Sequence, residues 1–149
     1  MPRHTLFTEA ANLAIHSLAF LASLKPTERA SSGRIAGVLN VSEAHLGKVL
    51  QRLARAGVLE SARGPKGGFT LSREPQQMSL LEIVELIDGP LQTEGCLLGK
   101  PVCAGGICKL QSAHIEVYGL LRDHLAKTYL SDVARTIDSP VPLRHDASE

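Results

Sequence analysis

Tryptophan is absent from this 149-residue sequence, and two tyrosines with three phenylalanines make up its 3% aromatic content. So few rings leave little with which to stack the bases of a single-stranded nucleic acid. No apolar run approaches the length that crosses a bilayer, and the N-terminus lacks the basic region, apolar core and cleavage site of a secretory signal. A cytoplasmic chain with no membrane partner is therefore expected. Nucleophile motifs are missing too: no serine, histidine and acid are set out as in a hydrolase. Gly64-Pro65-Lys66-Gly67-Gly68 lacks the gap and the Gly-Lys-Ser/Thr ending of a phosphate loop. An enzyme is not expected. Cysteine is scarce, three in all, and an odd number packed into one short stretch of a reduced chain argues against a disulfide framework.

Those cysteines, Cys96, Cys103 and Cys108, lie within Gly95 to Leu110, separated by six and then four residues rich in glycine. A backbone of that composition can wrap a compact object and aim sulfur inward, and soft thiolates suit an iron-sulfur cluster or zinc. Three thiolates leave one metal position for a weaker, exchangeable ligand, as a sensor needs. Three thiols without a metal, buried or reversibly oxidised, are the alternative.

The net charge of +1 is spread unevenly: from Lys25 to Pro75 nine basic residues stand against four acidic ones, so the rest of the chain carries −4. Phe7, Ala11, Ala14, Leu18 and Leu21 predict a helix from Thr5 to about Ser23. Ile15 and Phe20 fall off its stripe, which implies burial against a further partner such as a second subunit. In the basic stretch, Ser31 or Ser32 caps a helix to Leu39, Asn40-Val41 makes a turn, and Ser42 caps a helix from Glu43 to Ala56 that Gly57 closes. Leu46, Val49, Leu50 and Leu53 form its core face. Ala44, His45, Lys48, Gln51, Arg52 and Arg55 then point outward, the pattern of a helix laid in a major groove.

Val58 to Arg63 and Phe69 to Ser72 read as two strands around a turn that presents Arg63 and Lys66, so a helix-turn-helix is followed by a basic-tipped wing. Ser79 to Glu82 is a capping box opening a helix that Gly89-Pro90 ends. Ile115, Tyr118, Leu121 and Leu125 mark a helix from about Leu110 to Tyr129 that packs on a twin. Ser139 to Glu149 reads as a loose tail.

The run Ser61 to Leu71, the helix Ser42 to Leu53 with its His45-Leu46, the segment Met78 to Gly89 and the loop opening Cys96-Leu97-Leu98-Gly99 together resemble the Rrf2 family of bacterial transcription regulators. The resemblance implies a mainly α fold: a winged helix-turn-helix DNA-binding domain with a small β-hairpin wing over 1–90, a cysteine-rich cluster-binding loop over 91–109, a long C-terminal dimerisation helix over 110–135 and a flexible tail over 136–149. It also implies a homodimer on a palindromic double-stranded operator, and a [2Fe-2S] or [4Fe-4S] cluster on Cys96, Cys103 and Cys108. In the family the fourth ligand comes from the first helix of the other subunit or from a histidine just after the third cysteine. Here Gln111 stands three residues past Cys108, so Glu9 is the expected ligand and His114 the alternative.

Ser42, Ala44, His45, Lys48 and Arg52 are expected on the DNA, with Ser42 and Lys48 on phosphate and His45 on a base edge. Arg63 and Lys66 are expected at the minor groove or adjacent phosphates. The expected function is a transcriptional regulator, in the repressor sense, that reads iron, redox state or nitric oxide through the cluster. Losing the cluster would shift the dimer helix and so the spacing of the recognition helices. The rival readings are a metal-free thiol switch on the same fold, a regulator that reads a partner enzyme complex, and an electron-transfer iron-sulfur protein.

Overall fold

Thr8, and not Thr5, starts the first helix. The structure, a computed structural model, describes residues 6–91, Cys96, Leu98, Lys100 and residues 108–137. In it the Thr8 hydroxyl accepts the Ala11 N–H at 3.2 Å and α1 runs Glu9–Ser23, the ordinary role of threonine at an N-cap. Ala11, Ala14 and Leu18 are wholly buried, and Ile15 and Phe20 are buried as well, at 6% and 8% exposure. Their cover comes from the same chain, since α1 is the hub on which four later helices and one strand pack. Burial of the second stripe thus needs no partner subunit.

Ser31 caps α2 (Ser32–Leu39), which ends on Asn40 in the left-handed region at φ 53° and ψ 50°. The Val41 N–H closes that turn on the Ala36 carbonyl at 3.0 Å, and α3 (Glu43–Arg55) follows with Leu46, Val49, Leu50 and Leu53 buried. The antiparallel pair β1 (Leu59–Ala62) and β2 (Gly68–Leu71) sets Leu59 opposite Leu71 and Ala62 opposite Gly68. Ala30 and Phe69 exchange backbone hydrogen bonds of 3.1 and 2.8 Å, which fastens the wing to the approach of α2. Gly68 allows this docking: its φ is +136°, and a Cβ there would lie 2.6 Å from the Ala30 carbonyl oxygen.

A 3-10 turn (Pro75–Gln77) leads to α4 (Leu80–Asp88). The Ser79 hydroxyl accepts the Glu82 N–H at 3.2 Å, but only half of the expected capping box forms. The Glu82 carboxylate is turned outward to Arg73, because a charge-assisted bond to a guanidinium is stronger than the return bond to a neutral N–H.

The C-terminal region departs furthest from expectation. In place of one helix there are two, α5 (Lys109–Lys127) and α6 (Leu130–Ile137). Thr128 and Tyr129 leave the helix to pair with the chain before α4: Leu80 N–H reaches the Thr128 carbonyl at 2.8 Å and Leu130 N–H the Met78 carbonyl at 2.9 Å. Asp132 accepts the Tyr129 N–H at 2.9 Å, Leu130 is wholly buried, and α6 folds back on α1 and the 3-10 turn. Residues 138–149, expected as a tail, lie outside the described residues. Among the described residues no helix is long and apolar enough to cross a membrane.

Candidate nucleic-acid interface and cysteine loop

The outward face of α3 is where the expected DNA contacts meet. Ser42, Ala44, His45, Lys48 and Arg52 are all exposed there, and Arg63 and Lys66 are exposed in the wing turn. Ser42 occupies the N-cap position of α3, yet its hydroxyl makes no cap bond. That leaves a donor at the positive end of a helix, where an anion is favoured.

Which cations remain free for a partner is decided by pairing inside the chain. Arg29 lies 3.7 Å from Glu60, and Arg73 is bonded to Glu82. Arg34 is held by Glu28 at 2.6 Å and by the Phe20 ring, 5.6 Å from its centroid. The Arg34 hydrogen bond in turn holds the Glu28 carboxyl below its ordinary range. Lys48, Arg52, Arg55, Arg63 and Lys66 form no ion pair among the described residues. Five unengaged cations on one helix face and one hairpin tip make a surface suited to phosphate.

Beyond α4 the structure describes part of the cysteine loop. Cys96 and Cys108 are free and half-buried; Cys103 lies outside the described residues. The Cys96 thiol points to the Lys100 carbonyl at 3.6 Å. Cys108 is the N-cap of α5, its sulfur accepting the Gln111 N–H at 3.4 Å. The sequence carried a faint sign of this in the spacing of Cys108 and Gln111, which is that of a capping box. Glu9 is exposed on the first turn of α1. His114 is half-buried on α5 and stacked on Tyr118, ring centroids 4.1 Å apart. Among the described residues of one chain, no three of these or other His, Cys, Asp and Glu side chains come together in a metal-sized group.

A link that periodicity did not reveal joins this loop to the core. Asp88 ends α4 immediately before the loop, and its carboxylate accepts both the Thr8 N–H, at 2.9 Å, and the Thr8 hydroxyl. The exit of α4 is thereby tied to the cap of α1, one residue from Glu9.

The model of the Rrf2 family, described as iron-dependent transcriptional regulator, matches residues 7–136. A putative helix-turn-helix transcriptional regulator of Aquifex aeolicus is 30% identical over 86% of this chain and 90% of its own length. The transcriptional repressor NsrR of Streptomyces coelicolor is 31% identical over 91% of this chain and 93% of that one. Among solved structures, CymR, the global cysteine regulator of B. subtilis, superposes with a TM-score of 0.74 at 22% identity, covering 89% of this chain and 98% of that one.

Proposed function

Because the chain belongs to the Rrf2 family of transcriptional regulators, and so is a regulator and not an enzyme, we propose that it represses genes by binding a palindromic operator as a homodimer under the control of its three cysteines. The observation that carries the DNA reading is the set of unpaired cations on α3 and the wing. Lys48 and Arg52 neutralise phosphates beside the groove, the Ser42 hydroxyl donates to another, His45 reaches a base edge, and Arg63 and Lys66 clamp the neighbouring minor groove. Leu121 and Leu125, expected against a twin, pack into the protomer's own core; the exposed apolar side chains of α5, Leu110, Val117 and Leu120, support its role as the contact with a second copy.

The cysteines control this arrangement through two joints. Cys108 caps α5, so a new bond to its sulfur redirects and repositions the acceptor of the Gln111 N–H, and with it the first turn of the dimer helix. Asp88 ties the other end of the loop to α1, the hub of the winged domain. In the thiol reading, two cysteines lose two protons and two electrons to a peroxide, which leaves as water, and a disulfide forms between them. Three thiols within thirteen residues, with Cys96 and Cys108 half-buried, support it. In the cluster reading, the donor set itself fits: three soft sulfurs within thirteen residues, Cys96, Cys103 and Cys108, with Glu9 of the other subunit or His114 as fourth ligand. A bound cluster would supply iron that reacts with oxidant or nitric oxide.

Replacing Asp88 with alanine is expected to lower stability by about 1–2 kcal/mol, the worth of hydrogen bonds to a charged acceptor, and to weaken the response to the signal while leaving the DNA face intact. Thermal unfolding and DNA titration of the variant check this. To test the function, anaerobically purified protein is used to enrich a duplex from a random pool, and its visible spectrum, iron and sulfide are measured. An enriched palindrome supports the regulator and an unenriched pool contradicts it. Colour with matching iron and sulfide favours the cluster, and colourless, iron-free protein the thiols.

A further inference from the structure

Glu43 is the one acid on α3, and it stands in the first turn of that helix. Its carboxylate turns back onto α2. The Ser32 hydroxyl donates to Glu43 Oε1 at 2.6 Å, and both carboxylate oxygens lie over the first turn of α2, 3.3 and 3.4 Å from where a Cβ on Gly33 would be. Negative charge is favoured at that end of α2, and the absence of a side chain at residue 33 gives it room. The turn at Asn40 and Val41 fixes α2 to α3 through the backbone. The Glu43–Ser32 bond adds a side-chain tie across the angle between the two helices.

We propose that Glu43 is a positioning residue for operator recognition: by binding Ser32 at the N-terminus of α2 it sets the angle at which α3 enters the groove, and it keeps its own charge off the phosphates. This rests on the DNA-binding reading above. Two functions follow from one contact. The angle decides whether His45 and its neighbours meet base edges, which is a matter of specificity. The overall cationic field, which governs binding to any duplex, is left to Lys48, Arg52, Arg63 and Lys66.

The test uses the full-length protein, the duplex of about 30 base pairs that the wild type enriches from a random pool, long enough for two half-sites, and a scrambled duplex of equal length. Glu43→Ala is expected to bind the enriched duplex roughly ten- to a hundredfold more weakly, the worth of one such hydrogen bond in each protomer of the dimer, with binding to the scrambled duplex not weakened. Glu43→Gln, whose amide oxygen still accepts from Ser32, should recover most of the loss. Ser32→Ala should match Glu43→Ala, and the double variant should be no worse than either single one. A thermal midpoint for each variant separates this from misfolding. If Glu43→Ala binds both duplexes more tightly by the same factor, Glu43 is only a repelling charge and the proposal fails. If the two single losses simply add, the tie to Ser32 is refuted. A wild type that enriches no duplex overturns the DNA-binding reading itself, and the inference with it.

Discussion

Changing Lys48 and Arg52 together to alanine is expected to weaken operator binding by at least roughly a hundredfold at moderate salt while the protein stays folded. Both side chains are exposed and unpaired among the described residues, so their removal takes away nothing that holds α3 in place. Its core face, Leu46, Val49, Leu50 and Leu53, is untouched. Each phosphate contact contributes about 0.9 to the slope of log affinity against log salt. A dimer that loses two cations per protomer should therefore flatten that slope by roughly 3 to 4. Titrations at several salt concentrations read both effects. An unchanged slope would mean that this face does not meet phosphate.

The second large effect is expected at α5. Leu120 is 74% exposed in the single chain, with Leu110 at 67% and Val117 at 52%. Leu120→Asp leaves the protomer's own core intact and places a charge among apolar side chains at the proposed contact between copies, where an unpaired charge is costly. Dissociation of the dimer makes each half-site bind on its own. The loss of effective concentration then weakens operator binding by about a hundredfold or more. Sedimentation and DNA titration of the same preparation measure the two together. A variant that remains dimeric would show that the contact lies elsewhere.

Much of this architecture was written locally. The i, i+3, i+4, i+7 spacing of Leu46, Val49, Leu50 and Leu53 is satisfied within one helix, and the wing glycines announce a turn that only they can make, so α3 and the hairpin were legible from the sequence. What was hidden depends on groups distant in the chain. Thr128 and Tyr129 look like helix until Met78 and Leu80 offer the chain there backbone partners, and Glu82 looks like half of a capping box until Arg73 draws it away. Ile15 and Phe20 imply a second subunit only while the packing of the chain's own later elements around α1 is unseen. At the interface, residue types showed which cations exist, but only the pairing of Arg34 with Glu28 and of Arg73 with Glu82 shows which are occupied. The Asp88–Thr8 bond spans eighty residues, and no local pattern could carry it.

That the cysteines govern DNA binding is tested most directly by one comparison. Affinity for the enriched duplex is measured for the wild type and for the variant with Cys96, Cys103 and Cys108 all changed to alanine. Each is measured anaerobically and again after exposure to peroxide or nitric oxide. The wild type should change affinity by roughly 5- to 150-fold, the range of ordinary coupling between sites, and the variant should hold one affinity throughout. A variant that responds as the wild type does, or a wild type that does not respond, would contradict the account.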